Sequence, residues 1–307
     1  MTRWLVTLMP LSFSAGMNPR TGAAPVGTVP GSWTTGHRKF LYIRATFPDH
    51  RIDPQSEAEC QDSLRQMADY ITQTSYGRCY FTYAVAPLIV LPYPESWYLQ
   101  YQADGSGADT LIQNQARTIA KEMGYDYLTY DFDAVRWNGS VGSYGGSASV
   151  GARGMRLKTN TVSTFCHELG HNLGVWHANF WRTTPPSFIG PGNNLEYGNS
   201  FDVMGSSLGQ FTSAFKNILN WLPNETHWTA NSPGTYRIYQ YDSAIADPSF
   251  RYSLRIKKDA EREYWAEFRQ RLTTNTVFMN GLMMTWDGWG LGRGGRAGGL
   301  GGEIGRA

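Results

Sequence analysis

Chemistry is concentrated in residues 167–177, His167-Glu168-Leu169-Gly170-His171-Asn172-Leu173-Gly174-Val175-Trp176-His177. Two histidines four apart on a helix project from one face, one turn above the other. Both imidazoles can then reach one metal ion, at about 2.0–2.1 Å for zinc. Glu168 follows the first histidine but lies about 100° further round the helix. That offset takes its carboxylate past the metal and toward a water activated by it. Zinc brings the pKa of such a water to about 7, and a neighbouring carboxylate can take the proton as the water attacks a carbonyl. Gly174 lets the backbone leave the helix, and the returning chain offers His177 as a third ligand. Three protein ligands with one open position describe a catalytic zinc site rather than a structural one.

The element that positions these groups is a helix expected from about Thr161 to Gly174, with Asn160 or Thr161 as N-cap. On it Val162, Phe165, Cys166, Leu169 and Leu173 fall within a narrow arc. His167 and His171 fall on the opposite side, roughly 140–180° away. One face is expected in the core and the other on the metal. The bland alternative is an amphipathic helix with solvated histidines. It requires three of the chain's six histidines to gather in residues 167–177 by accident.

The long motif, His-Glu-x-x-His-x-x-Gly-x-x-His, is the signature of metzincin zinc peptidases, which also carry a methionine-containing turn downstream. A candidate turn is present in Glu196-Tyr197-Gly198-Asn199-Ser200-Phe201-Asp202-Val203-Met204-Gly205. The combination resembles the gametolysin family, whose members act on extracellular and cell-wall proteins. The resemblance runs from about Lys39 to about Trp221. It includes Phe47-Pro48-Asp49, Ser75-Tyr76-Gly77, Tyr130-Asp131-Phe132-Asp133 and Phe215-Lys216-Asn217. It implies His167, His171 and His177 as zinc ligands, Glu168 as general base and Met204 as the floor under the metal. It also implies a protein or peptide substrate and a secreted, extracellular location. Taken alone, Met204 reads as a core methionine. Where some metzincins place a metal-region tyrosine two residues beyond the methionine, this chain has Ser206 and no such role is expected. Tyr197 could donate to a developing oxyanion or serve structure, and Asp202 could hold a ligand histidine or cap a turn. Calcium has no clear motif; Asp131 and Asp133 are the suggestive pair.

Composition bounds the remaining classes. At 307 residues the chain can bury a substantial core in one or two domains. A net charge of +2 gives no footprint for nucleic acid. No apolar run reaches the roughly 18 residues needed to span a bilayer. Cys60 and Cys79 could pair, a point the sequence leaves open, and Cys166 reads as a buried thiol. The stretch from Arg3 to Gly16 resembles a short secretion signal broken by Pro10, or equally the start of a mid-protein segment. Oligomeric state has no sequence signal.

The pattern along the chain predicts strand, helix, strand, helix, strand, edge strand, helix, an α/β arrangement. A strand is expected over Lys39–Phe47. A helix capped by Ser56 should carry Cys60, Leu64, Met67 and Ile71 on one face, ending near Tyr76-Gly77. One or two strands should follow over Cys79–Leu91, a loop over Pro94–Gly107, a helix over Thr110–Met123 and a strand over Tyr125–Val135. The Gly- and Ser-rich Gly139–Gly154 reads as a flexible loop or, within Gly145–Arg153, as the substrate-pairing edge strand that the resemblance implies. Loops through Pro185, Pro186 and Pro191 lead to the methionine turn and a helix over Ser213–Leu222. Alternating stretches from Tyr236, Tyr252 and Tyr264, and an apolar run from Phe278, predict an antiparallel β unit. The expected division is a leader and linker over 1–36, a metzincin-like peptidase domain over 37–228, a β-rich accessory domain over 229–287 and a Gly/Arg-rich disordered tail over 288–307. The fold expectation is thus a twisted, mostly parallel sheet with an antiparallel edge strand and helices, followed by a small all-β unit.

Function reads first as a zinc-dependent endopeptidase. A second reading is a non-catalytic, zinc-containing binder of matrix or polysaccharide, against which the intact Glu168 argues. A third is a metal-dependent hydrolase of a non-peptide bond, disfavoured only by the extended gametolysin resemblance.

Overall fold

A computed structural model describes residues 3–8, 30–105, 107–183, 191–257, 262–288 and 303–305. Residues 9–29 of the leader and linker expected over 1–36, the loop through Pro185 and Pro186, and most of the tail after 288 lie outside the described residues. The chain forms two compact units, residues 35–73 with 78–174, and residues 1–34 with 74–77 and 175–307. Strand β1 (Arg3–Leu8) and a short helix α1 (Gly31–Thr34) open the chain and belong to the second of these.

The first unit contains β2 (Gly36–Thr46), α2 (Glu57–Thr74), β3 (Cys79–Val85), β4 (Ile89–Val90), α3 (Glu95–Ala103) and α4 (Ala108–Glu122). A 3₁₀ turn (Tyr127–Thr129), β5 (Phe132–Trp137), β6 (Gly146–Ala148), β7 (Met155–Leu157) and α5 (Val162–Leu173) complete it. Its sheet runs β3-β2-β5-β7-β6, with β4 also on β2. Every pair is parallel except β6 on β7, so the expected antiparallel edge strand is β6. Strand β2 is buried without interruption from Phe40 to Thr46, as a parallel strand covered on both faces must be. Leu41, Ile43 and Ala45 join a core with Ile112 and Ala116 of α4. The alternate residues Phe40 and Tyr42 meet Phe165 of α5, with ring centroids 5.3 and 5.8 Å apart.

The capping expectation for α2 is met in full. Ser56 Oγ accepts the Glu59 amide while Glu59 Oε2 accepts the Ser56 amide, a reciprocal box. Cys60, Leu64, Met67 and Ile71 are all fully buried. The loop expected over Pro94–Gly107 instead contains α3. Its composition gives no apolar stripe, so packing decides: Tyr98 is fully buried, 5.6 Å from Phe47, and Trp97 stacks at 4.0 Å on Tyr93. Asp49 supplies the cap that Pro94 cannot, accepting the Glu95 amide at 3.3 Å. The strand expected from Tyr125 begins only at Phe132, after the 3₁₀ turn. All three cysteines are free buried thiols, so Cys60 and Cys79 do not pair.

The second unit continues with β8 (Phe180–Thr183), β9 (Gly192–Leu195), α6 (Ser213–Ile218), a 3₁₀ turn (Asn224–Thr226), β10 (His227–Ala230) and β11 (Gly234–Tyr239). It ends with β12 (Ser253–Lys257), β13 (Arg262–Glu267), α7 (Thr276–Met279), β14 (Leu282–Gly288) and β15 (Glu303–Gly305). Strands β8 and β9 form a hairpin, and β11 pairs with β1, the stretch read as part of a secretion signal. A sheet of order β10-β12-β13-β14-β15 is antiparallel except that β10 runs parallel to β12, a departure from the expected all-antiparallel unit. Residues Glu303–Gly305, expected in the disordered tail, pair with β14. Ile238, Leu254, Ala266 and Phe268 form the apolar core of this β region.

Candidate metal centre

Helix α5 is amphipathic in the way the sequence predicts. Phe165, Cys166, Leu169 and Leu173 are buried, while Val162 at the first turn is half-buried. Burial pushes the Cys166 thiol far up, which makes it inert as a nucleophile. The polar face is latched by the loop before it. Asn172, fully buried, donates to the carbonyls of Ser149 and Gly154 at 3.0 and 3.1 Å, and the Gly151 amide donates to His171 O at 2.8 Å. Thr161 holds the N-cap position without a side-chain cap bond, its hydroxyl meeting Thr164 instead at 2.8 Å. Gly174 closes the helix at φ +117°, a conformation open to glycine.

His167 and His171 lie one turn apart with ring centroids 4.8 Å apart and planes at 85°. His177 follows three residues after Gly174. The potential ligand atoms of His167, His171 and His177 all lie within 4.8 Å of one another, and they form the candidate metal-holding group among the described residues. The donor set, neutral imidazoles only, suits zinc better than calcium or magnesium.

Glu168 fits the same ion. It is 5% exposed, and its Oε2 meets no hydrogen-bond partner among the described residues. Burial raises its carboxyl to about 7, with Arg156 pulling the other way. A buried, unpaired carboxylate oxygen is costly unless something charged or hydrated faces it. A bound dication would restore the ionised form, because its charge favours the carboxylate. The edge strand supports Glu168 closely. A Cβ on Gly146 would stand 2.6 Å from Glu168 Cγ and 2.7 Å from Oε1. The sequence pointed to this edge for substrate pairing but not to Gly146 as a wall for Glu168. Arg156 on β7, bonded to Asp109 at 2.9 Å and to Ser147 at 3.2 Å, ties β6 and β7 to the start of α4.

Glu196 Oε1 lies 2.8 Å from His177 Nδ1. Where the Glu196 carboxylate accepts from Nδ1–H, Nε2 is the ring nitrogen left to face a metal. Tyr197 packs its ring on His177 at 3.9 Å, held at φ +59° with its amide donating to Asn179. That contact is structural support for the imidazole. Glu196 had no assigned role in the sequence reading, because an exposed glutamate gives no local signal.

Met204 is fully buried. Its carbonyl accepts the Ala178 amide at 2.8 Å, so the methionine turn is tied to the residue after His177. Asn199 donates to Ala178 O at 3.2 Å from the other side. Of the two roles open to Asp202, the structure shows the turn cap. Oδ1 accepts the Met204 amide at 2.7 Å and Oδ2 the Thr212 amide at 2.6 Å. Burial lifts its carboxyl to about 7 despite those bonds. The calcium pair is otherwise engaged. Asp133 takes a bidentate bond from Arg117 at 2.7 Å, and Asp131 accepts the Lys39 amide and faces Arg38.

No family model matches this sequence, and no curated protein matches it. Solved structures that match include an archaemetzincin from Methanopyrus kandleri, with 18% identity over 60% of this chain and 94% of that one, at a TM-score of 0.32. Metalloproteinase-II from Bacteroides fragilis gives 13% identity, 66% of this chain and 58% of that one, at 0.32. A chain in a chaperone–substrate complex gives 14% identity and 61% coverage at 0.33, and this chain spans only 36% of it. No helix among the described residues is long and apolar enough to cross a membrane.

Proposed function

We propose that this chain is a zinc-dependent endopeptidase of metzincin type, similar to the gametolysin family. The observation that carries the reading is the convergence of three imidazoles from His167, His171 and His177 beside a buried Glu168 whose carboxylate is unpaired at Oε2. When bound, zinc activates a water for attack and polarises the substrate carbonyl. Glu168 takes the proton of that water and returns it to the leaving amine, so no covalent enzyme intermediate is needed. His177 is kept in its metal-binding tautomer by Glu196, and Met204 is held under the His177 segment by Ala178 and Asp202. Substrates are expected among extracellular, cell-wall or matrix proteins, reached by secretion.

The test is hydrolysis of an unfolded protein by zinc-loaded wild type and zinc-loaded Glu168→Ala. Wild type is expected to cleave. The variant is expected to keep its zinc and lose about 10²–10⁴ in kcat. Zinc-bound wild type that cleaves no peptide bond would turn the reading toward a binding protein.

A further inference from the structure

The segment from Phe201 to Thr212 makes almost no regular structure, yet Asp202, Val203, Met204 and the run from Gln210 to Thr212 are buried. It is a closed loop of the compact, self-packed kind. Asp202 staples it through hydrogen, accepting the amides of Met204 and Thr212. Arg269, two residues beyond β13, staples it through oxygen. Its Nη1 donates to the Phe201 carbonyl and its Nη2 to the Gln210 carbonyl at 3.3 Å. Arg269 is 3% exposed, and Glu267 beside it is fully buried. Glu267 accepts the Ser213 amide at 2.5 Å and lies 3.7 Å from Arg269 Nη2.

Burying an arginine and two carboxylates is a poor route to stability. The desolvation of each charge offsets most of its attraction, and a well-packed apolar replacement is often as stable. What such a cluster does provide is geometry, because a planar guanidinium fixes two carbonyls at once. The fixed loop leads straight to a ligand. Arg269 fixes the Phe201 carbonyl, the next residue Asp202 holds the Met204 amide, Met204 O accepts the Ala178 amide, and Ala178 follows His177.

We propose that Arg269, with Glu267, is a positioning residue for the third metal ligand: the guanidinium sets the methionine turn, and the turn sets His177. This rests on the zinc-site reading above. It makes the end of β13 part of the metal centre rather than of a separable accessory unit.

The test compares Arg269→Met, Arg269→Lys and Leu254→Ala in the full chain. Leu254 lies in the apolar core of the same β region and serves as a control for general loosening. Zinc affinity is measured by chelator competition, and the visible absorption of the Co²⁺-loaded protein reports ligand geometry. Arg269→Met is expected to weaken zinc binding by about 10–100-fold and to alter the Co²⁺ bands. Arg269→Lys reaches one carbonyl and should fall between it and wild type. Leu254→Ala should lose thermal stability while keeping the wild-type affinity and spectrum. If Arg269→Met does not fold, Arg269→Lys decides. Wild-type affinity and spectrum in the folded arginine variants, or equal losses in Leu254→Ala, would overturn the proposal. A wild type that binds zinc but cleaves nothing sinks the peptidase reading and leaves this comparison standing.

Discussion

Helix α5 and the irregular stretches Val175–Asn179 and Glu196–Thr212 both carry metal-ligand candidates, and they are built by opposite means. In α5 the helical period itself places His167, Glu168 and His171, and an apolar arc against Phe40 and Tyr42 anchors them. In those stretches no helical or strand period exists. His177, Tyr197 and Met204 are held by side chains bonding to backbone: Asn179 to Tyr197, Asn199 to Phe201, Asp202 to Met204 and Thr212. A helix spreads its positional information over many equivalent bonds. The irregular stretches concentrate it in a few buried polar groups, so single substitutions there should cost more.

Asp202→Ala tests the concentrated half and should have the largest effect. It strands two buried amides, each costing about 1–3 kcal/mol when unsatisfied. The expected loss is about 2–6 kcal/mol in unfolding free energy, read by chemical denaturation, together with weakened zinc binding. A loss below about 1 kcal/mol would mean that the turn does not depend on this carboxylate. Asp202 also sets a pH dependence. Its folded pKa, about 7, stands above its ordinary value near 3.9, so between those values the folded state keeps a proton the unfolded state has lost. Its contribution therefore falls as pH rises from about 4 to 7, and the slope should vanish in Asp202→Asn.

Gly146→Ala probes the regular half at a tight contact with Glu168. The added Cβ meets the flexible Glu168 side chain rather than backbone, so the fold can yield while the proposed base is displaced. The expected result is a roughly tenfold to hundredfold loss in kcat, with Tm and zinc affinity close to wild type, since a displacement near 1 Å is enough for such a loss. A large drop in Tm with kcat preserved would show Gly146 to be a packing residue only.

These contrasts also explain what the sequence disclosed. The α5 face, the C-terminal glycine and the α2 capping box are local rules, and each appears where the spacing puts it. The edge strand could be located, but Gly146 against Glu168 is a contact between residues 22 apart and leaves no periodic trace. Helix α3 was hidden because its stability comes from Tyr98 on Phe47 and from Asp49 as a remote cap. The parallel β10–β12 pairing and the reach of Arg269 to Phe201 are likewise long-range. Two stretches far apart in the sequence also meet: Lys216, fully buried, donates to the Tyr76 hydroxyl at 3.1 Å and lies 4.3 Å from its ring.

That lysine offers a third way to separate the halves. Burial, then Arg269, lowers its pKa to about 7, against the pulls of Glu267, Asp242 and Asp202. Above that value the folded state has released a proton that the unfolded chain holds until about 10.4. Stability of the second unit should therefore rise with pH between about 7 and 10, with a limiting slope of about 1.4 kcal/mol per pH unit. Lys216→Met should flatten that rise. Equal slopes in the two proteins would place the titration elsewhere. Neighbouring Tyr76 and Tyr241, whose pKa values burial raises well above 10, stay neutral across the window.

The smallest expected effect lies where the irregular half meets solvent. Glu196 orients His177 at 2.8 Å, but its side chain is 64% exposed. Water and salt screen its charge, so the hydrogen bond matters more than the field. Glu196→Gln keeps an acceptor for Nδ1–H and should change zinc affinity by less than about threefold. Glu196→Ala frees the ring to take either tautomer and should weaken binding toward tenfold, the low end for groups that orient a metal ligand. Both are measured by chelator competition at two salt concentrations. A Gln variant as weak as the Ala variant, with its deficit growing at low salt, would mean that charge rather than orientation is what Glu196 supplies. The exposed rim would then share the electrostatic dependence found in the buried turn behind it.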